Sequence, residues 1–256
     1  MIVISAGMVK AGTGWYFNMT NDLLVATGHQ HVHDVRDRFK LHDFMLHANC
    51  NISTITTRKL LRLMVPHLRG NTFVVKTHEG PNRSLRYFMA ASAVKATYIY
   101  RDPRDVLLSF KDFIIEQRAD DPAQVQALQE MDLKTSLQQS TAILRVWEGW
   151  DRYQQRFGNA FIVRYEDLKA DPVRVMIDFV AYLGIGASDE LIREIVAKYR
   201  PDKLDQSKTN TLHFNKGQTN RFLAEMTPDQ VALANEFFAP YLARMGYELI
   251  PETPTP

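Results

Sequence analysis

Lys10, Gly12, Thr13 and Gly14 stand in a short glycine-bearing turn, Gly7-Met8-Val9-Lys10-Ala11-Gly12-Thr13-Gly14-Trp15, between an apolar run and a helical pattern. Backbone N–H groups in such a turn, backed by the positive end of a helix, bind anions, and the Lys10 ammonium and Thr13 hydroxyl add donors. The chemistry this suits is the holding of a phosphate. The turn is not a Walker A loop, which needs Lys and then Ser or Thr directly after the second glycine, where Thr13-Gly14 stands. A dinucleotide fingerprint fails as well, because Phe17 occupies the place of its last glycine or alanine.

Two further clusters could act on a phosphate-bearing ligand. Arg101 follows the apolar run Ala96 to Tyr100, Pro103 suits a helix start, and Ser109 stands two helical turns on, so a guanidinium and a hydroxyl can converge on one anion. The competing reading pairs Arg101 with Asp102 or Asp105 at the surface. Lys76-Thr77-His78 closes another apolar run, at the strand end where α/β sheets place ligand sites. A neutral His78 imidazole there can take a proton from a hydroxyl or amine, and Lys76 can offset charge on a departing oxygen. The competing reading is a surface or structural histidine.

Lys10-Ala11-Gly12-Thr13-Gly14-Trp15 resembles the 5′-phosphosulfate loop of sulfotransferases that use 3′-phosphoadenosine 5′-phosphosulfate (PAPS), usually written Lys-Ser-Gly-Thr-Thr-Trp. The resemblance implies that Lys10, Gly12 and Thr13 hold the phosphosulfate, with Ala11 and Gly14 in the same loop, and that Trp15 stacks on adenine. Ala11 and Gly14 each lack the usual hydroxyl, so the backbone must do more. Arg101-Asp102-Pro103-Arg104-Asp105 with Ser109 is similar to the family's 3′-phosphate signature, which makes Arg101 and Ser109 the implied ligands. Lys76-Thr77-His78 resembles its catalytic strand end, with the histidine as general base. Tyr165-Glu166-Asp167-Leu168 resembles the turn whose tyrosine contacts the adenine, although acidic residues and Pro172 before a helix are also ordinary N-terminal signals. Phe214-Asn215-Lys216-Gly217 resembles the late Phe-Arg-Lys-Gly loop that closes over the 3′-phosphate. There Asn215 replaces an arginine, removing a contact of about 1.5 to 3 kcal/mol.

The activity so implied is transfer of a sulfuryl group from PAPS to a hydroxyl or amine of a small-molecule acceptor, by in-line displacement. His78 is the base, Lys10 and Lys76 stabilise the leaving phosphate, and adenosine 3′,5′-bisphosphate (PAP) is the product. No metal is expected: His29, His31, His33, His42 and His47 have no Glu or Cys at ligand spacing, and a polar acceptor loop suits them better. Two alternatives stay open, a P-loop kinase of a small molecule and a PAP-binding module without turnover. The kinase needs a Walker lysine and a Mg²⁺ ligand set, and neither is present. Nine residues precede Lys10, fewer than in the cytosolic animal enzymes, so their phenol and steroid acceptors are not carried over.

These groups need strands and helices to aim them. Ile2 to Ala6, Thr72 to Thr77, Ala96 to Tyr100 and Ala160 to Tyr165 read as short buried strands. Between them run helical patterns over Gly14–Ala26, Arg58–Leu68, Ser84–Ser92, Arg104–Ile115, Leu133–Phe157 and Arg174–Leu183. After Gly184 the pattern is helical alone, clearest over Leu191–Tyr199 and Pro228–Phe238. The expected fold is an α/β single domain over residues 1–256, with a central parallel sheet flanked by helices, like a P-loop nucleotide kinase, and a helical C-terminal part. Pro201 to Asn220 is polar and long enough to be a functional loop, and 251–256 a frayed tail.

Composition bounds the class. Lys plus Arg number 31 and Asp plus Glu 29, so no global field draws the chain to nucleic acid. The single cysteine, Cys50, cannot make an internal disulfide, and no apolar run is long enough to span a membrane. A cytoplasmic enzyme is the expectation.

Overall fold

The computed structural model describes residues 1–46, 49–200 and 217–250. In chain order its elements are β1 (Ile2–Gly7), α1 (Thr13–Ala26), α2 (Val32–Arg38), β2 (Asn51–Ile52), α3 (Thr57–Leu68), β3 (Phe73–Thr77), α4 (Arg83–Ala90) and β4 (Val94–Tyr100). There follow α5 (Pro103–Gln117), α6 (Pro122–Glu130), α7 (Leu133–Phe157), β5 (Ala160–Arg164), α8 (Tyr165–Ala170), α9 (Pro172–Leu183), α10 (Asp189–Lys198), α11 (Arg221–Glu225) and α12 (Pro228–Met245). Contacts divide these into two compact units, Met1–Tyr100 with Val146–Phe214, and Arg101–Arg145 with Asn215–Pro256.

The first unit is a five-stranded parallel sheet in the order β2-β3-β1-β4-β5, with helices packed on it. β1 is buried along its whole length, as a central strand covered on both faces must be, and its unbroken Ile-Val-Ile run meets that demand. Because β3 lies on one side of β1 and β4 on the other, the strand order reverses there, and the carboxyl end of β1 opens into the crevice where α/β sheets bind ligands. The register sets Ser5 beside Lys76 and Ala6 beside Thr77, so the end of β3 arrives level with the turn after β1. Trp150, fully buried, stacks on Tyr98 with ring centroids 5.5 Å apart. Its indole N–H donates to the Glu79 carbonyl at 3.0 Å, which ties the segment after β3 to α7.

The second unit is helical. Leu107, Leu137, Leu144, Ala234, Phe238 and Leu242 form its core. Its helices start where local chemistry tells them to. Asp102 caps α5 by accepting from the Arg104 N–H, with Pro103 at the first position. Thr227 and Gln230 form a reciprocal capping box at the start of α12.

Several elements differ from the sequence reading. β2 is two residues long, too short for any periodicity to reveal, and α2 forms within the histidine-rich stretch expected to be a loop. Tyr165 opens α8 rather than ending β5. α12 continues past Phe238 to Met245, where Gly246 takes the left-handed conformation that ends a helix. Among the described residues no helix is long and apolar enough to cross a membrane.

Candidate active site

The turn after β1 is built for close approach. Lys10 at φ 64° and Gly12 at φ 75° both take the left-handed conformation, which turns the chain sharply into α1. Gly12 provides no side-chain cap, so the first N–H groups of α1, at Thr13 and Gly14, lack the usual side-chain acceptor. This is the donor pattern that suits an anion. Ala11 is wholly buried and its N–H donates to the Met8 carbonyl at 3.2 Å, so its methyl packs where the resembling loop carries a hydroxyl.

Glycine at 12 has a second reason. A Cβ there would stand 2.8 Å from the ring of Tyr165, which itself is buried. Gly12→Ala therefore meets both a left-handed backbone and a blocked position. It is expected to cost about 1 to 2 kcal/mol from the backbone alone, with more from the ring contact, read as a lowered midpoint in thermal or urea unfolding. Tyr165 meets Trp15 edge-on at 6.3 Å, and the Trp15 indole N–H donates to the Tyr199 carbonyl at 3.0 Å. The three residues thus brace the turn from one side.

Lys76 and His78 close the other side. Lys76 is buried, and its pKa falls from the ordinary lysine value to about 8, through burial first and the charge of Lys10 second. The His78 pKa is lowered to about 4, mainly by burial and next by Lys76. The His78 Nδ1 lies 2.8 Å from the Gly7 carbonyl oxygen. A carbonyl only accepts, so Nδ1 carries the proton and Nε2 presents a lone pair. The unit therefore holds two lysines around an uncapped helix start, with a neutral imidazole in a set tautomer beside them. Sequence reasoning placed Gly7 in the turn and missed its role; in the structure it ends β1, and its carbonyl orients His78.

The second unit holds Arg101, Ser109 and Gly217. Arg101 is the first residue after β4, and it is buried rather than at the surface. Its Nη2 donates to Asp105 at 2.9 Å and to the Gln218 carbonyl, next to Gly217. Of the two carboxylates the sequence offered, Arg101 thus pairs with Asp105. Asp102 instead takes a two-point bond from Arg104, at 3.0 and 2.7 Å. The Asp105 carboxylate also accepts the Phe222 N–H at 3.2 Å. Ser109 is buried one further turn along α5 on the same face as Asp105. Asn215 and Lys216 lie outside the described residues, as do His47 and most of the Pro201 to Asn220 stretch.

Among the described residues no group of three or more His, Cys, Asp or Glu could hold a metal ion. In the histidine-rich stretch, His31 Nδ1 accepts from the His33 N–H at 3.3 Å and His42 lies 3.0 Å from Asp37.

The five-stranded parallel sheet, with the glycine turn between β1 and α1 at the carboxyl end of its central strand, is a P-loop-like α/β architecture. The family profile described as "Sulfotransferase domain" matches residues 2–246, and the chain belongs to that family. Two curated relatives, both from Arabidopsis thaliana, are cytosolic sulfotransferase 16, 26% identical over 55% of this chain, and cytosolic sulfotransferase 17, 24% identical over 64%. The matches span 42% and 53% of those relatives, about half their length. Among solved structures, a retinol dehydratase in complex with androsterone and PAP aligns with a TM-score of 0.58 at 19% identity, covering 94% of this chain and 80% of that one. A mouse sulfotransferase complexed with PAP aligns at 0.57 and 18% identity, covering 94% and 84%. These likenesses establish the α/β fold with its central parallel sheet.

Proposed function

We propose that the chain transfers a sulfuryl group from PAPS to a hydroxyl or amine of a small-molecule acceptor, with His78 as general base. The observation that carries the proposal is the neutral His78, its Nδ1–H bonded to Gly7 and its Nε2 lone pair available, between Lys76 and an uncapped helix start. We read the two units as parts of one sulfotransferase domain, since the family match runs through both.

The donor would supply the sulfuryl group, already activated as a phosphosulfate. Lys10, Gly12, Thr13 and Gly14 would bind its 5′ end through backbone N–H groups, a hydroxyl and an ammonium, with Ala11 packed in the same turn. Arg101, Ser109, Lys216, Asn215 and Gly217 would hold the 3′-phosphate, and Trp15 and Tyr165 the adenine. His78 Nε2 takes the acceptor's proton as its oxygen or nitrogen attacks sulfur. Lys10 and Lys76 offset the charge that develops on the departing phosphate oxygen, where little water dilutes their field. No step requires a metal.

Two tests apply. PAP at saturating concentration is expected to raise the unfolding temperature, and ATP with Mg²⁺ to raise it much less, because Arg101 and Ser109 have a partner only in the 3′-phosphorylated nucleotide. Equal shifts would favour a kinase-type site. Acceptor-dependent release of PAP from PAPS across a panel of alcohols and amines then separates an enzyme from a module that only binds.

The lowered Lys76 pKa makes a further expectation. With a free-protein pKa of about 8, Lys76 loses its charge as the pH rises through that value, while a bound anion holds the proton on. Affinity for PAP is thus full near pH 7 and falls about tenfold by pH 9, with proton uptake on binding. Calorimetry in two buffers of different ionisation enthalpy measures both; a pH-independent affinity would place the anion away from Lys76.

A further inference from the structure

The second unit contains a cavity of about 170 Å³ that none of the residues assigned above lines. Its walls include Leu107, Phe110 and Ile114 from α5, Leu128 from α6, Met131, and Ile143 from α7. Leu107, Phe110 and Ile114 recur at helical spacing on one face of α5, whereas Asp105, Ser109 and Asp112 recur on another. At 3.6 residues per turn, Ser109 stands roughly 200° round the helix from Leu107. The cavity and the anion-facing side of α5 are therefore opposite faces of one helix.

The cover of the cavity is underpacked. None of the nine residues of α6 is buried, and only Val125 and Leu128, one turn apart, are half-buried. A short helix so exposed gains most of its stability from the apolar stripe it sets against a neighbour, and here part of that stripe faces open space.

Most of the polar groups around the cavity already have partners. The Lys111 ammonium donates to the Gln129 carbonyl at 3.1 Å, and the Ser140 hydroxyl to the Leu137 carbonyl at 2.6 Å. Gln230 Oε1 accepts the Thr227 N–H at 2.9 Å, and Glu225 pairs with Arg221 at 2.8 Å. The lining left to a guest is more apolar than polar, which favours an uncharged guest, since a charged one loses hydration on entering.

We propose that this cavity binds a small, uncharged, apolar molecule of one or two rings, at a site separate from the anion-facing side of α5. The size follows from comparison with a cavity of about 150 Å³ lined by Leu, Ile and Phe, which takes up benzene. Such a guest needs neither the hydroxyl nor the amine of an acceptor. The test titrates the full chain with toluene and with naphthalene by calorimetry, and with benzoate as a charged probe of similar size. Saturable toluene binding below about 1 mM is expected, with benzoate at least about tenfold weaker. Ser136→Phe, which fills the cavity, and Leu128→Glu, which sets a charge in its cover, should each abolish it. Should Ser136→Phe fail to fold, Leu128→Glu carries the test, because α6 contributes no buried residue. No saturable binding by the natural chain, equal binding of benzoate, or binding unchanged in Leu128→Glu would each overturn the proposal.

Discussion

His78→Ala is expected to fold, to bind PAP much as the natural chain does, and to lose acceptor-dependent turnover by at least about 10²-fold, the low end for a positioned general base. The geometry separates the two effects. PAP has no sulfuryl group and needs no base, while the Gly7 carbonyl that orients the imidazole is a backbone group the substitution leaves in place. The pH dependence sharpens the expectation. Burial and the Lys76 charge lower the His78 pKa to about 4, against a smaller opposite pull from its bond to Gly7. A lowered pKa means that protonation sets in only well into the acid range, so the base stays competent from pH 9 down to about 5. Lys76 limits the alkaline side instead, losing charge above its pKa of about 8. A broad kcat/KM profile with its acid limb near pH 4 is the expected result. An acid limb centred on 6.5 would mean that the titrating base is solvated, and near-natural turnover by His78→Ala would make His78 structural, with Glu79 the next candidate.

Arg101→Ala should change two quantities that a second substitution then separates. Loss of a charge-assisted phosphate contact weakens PAP binding by about 1.5 to 3 kcal/mol, roughly 10- to 150-fold. Loss of the partner also strands Asp105, whose side chain is wholly buried, and breaking a buried pair from one side costs about 3 to 5 kcal/mol of stability. Asp105→Asn in the same chain removes the stranded charge while its amide oxygen can still accept the Phe222 N–H. The double variant should regain most of the lost stability in denaturant unfolding and none of the lost PAP affinity. Recovery of both would make Arg101 a structural partner of Asp105 and move the 3′-phosphate elsewhere.

Much of the fold was legible because its signals are local. The apolar runs that became β1, β3, β4 and β5 are short and continuous; β1 and β3 are buried at every position, as strands covered on both faces are, and the edge strand β5 is half-buried. Asp102-Pro103 and Thr227 with Gln230 start helices through contacts within three residues. β2 escaped because two residues carry no period, and α2 because its apolar positions, Val32 and Val35, are few among charged and histidine neighbours.

The sequence by itself determined the chemistry on offer: a glycine turn with Lys10, a strand ending in Lys76-Thr77-His78, and an arginine and a serine spaced along a helix start. Only the tertiary structure decided what state those groups are in. The tautomer of His78 is set by Gly7, which is 71 residues away in the chain, and the register that levels Ser5 with Lys76 spans the same distance. The pKa values of Lys76 and His78 depend on burial and on charges brought near by sheet pairing, neither of which local spacing encodes. The choice between Asp102 and Asp105 was likewise open in the sequence, since both stand within reach of Arg101. It was closed when Arg104 took Asp102 in a two-point bond and left Asp105 to Arg101. Side-chain identity and spacing say which interactions are possible, and packing, by removing water and competing partners, selects among them.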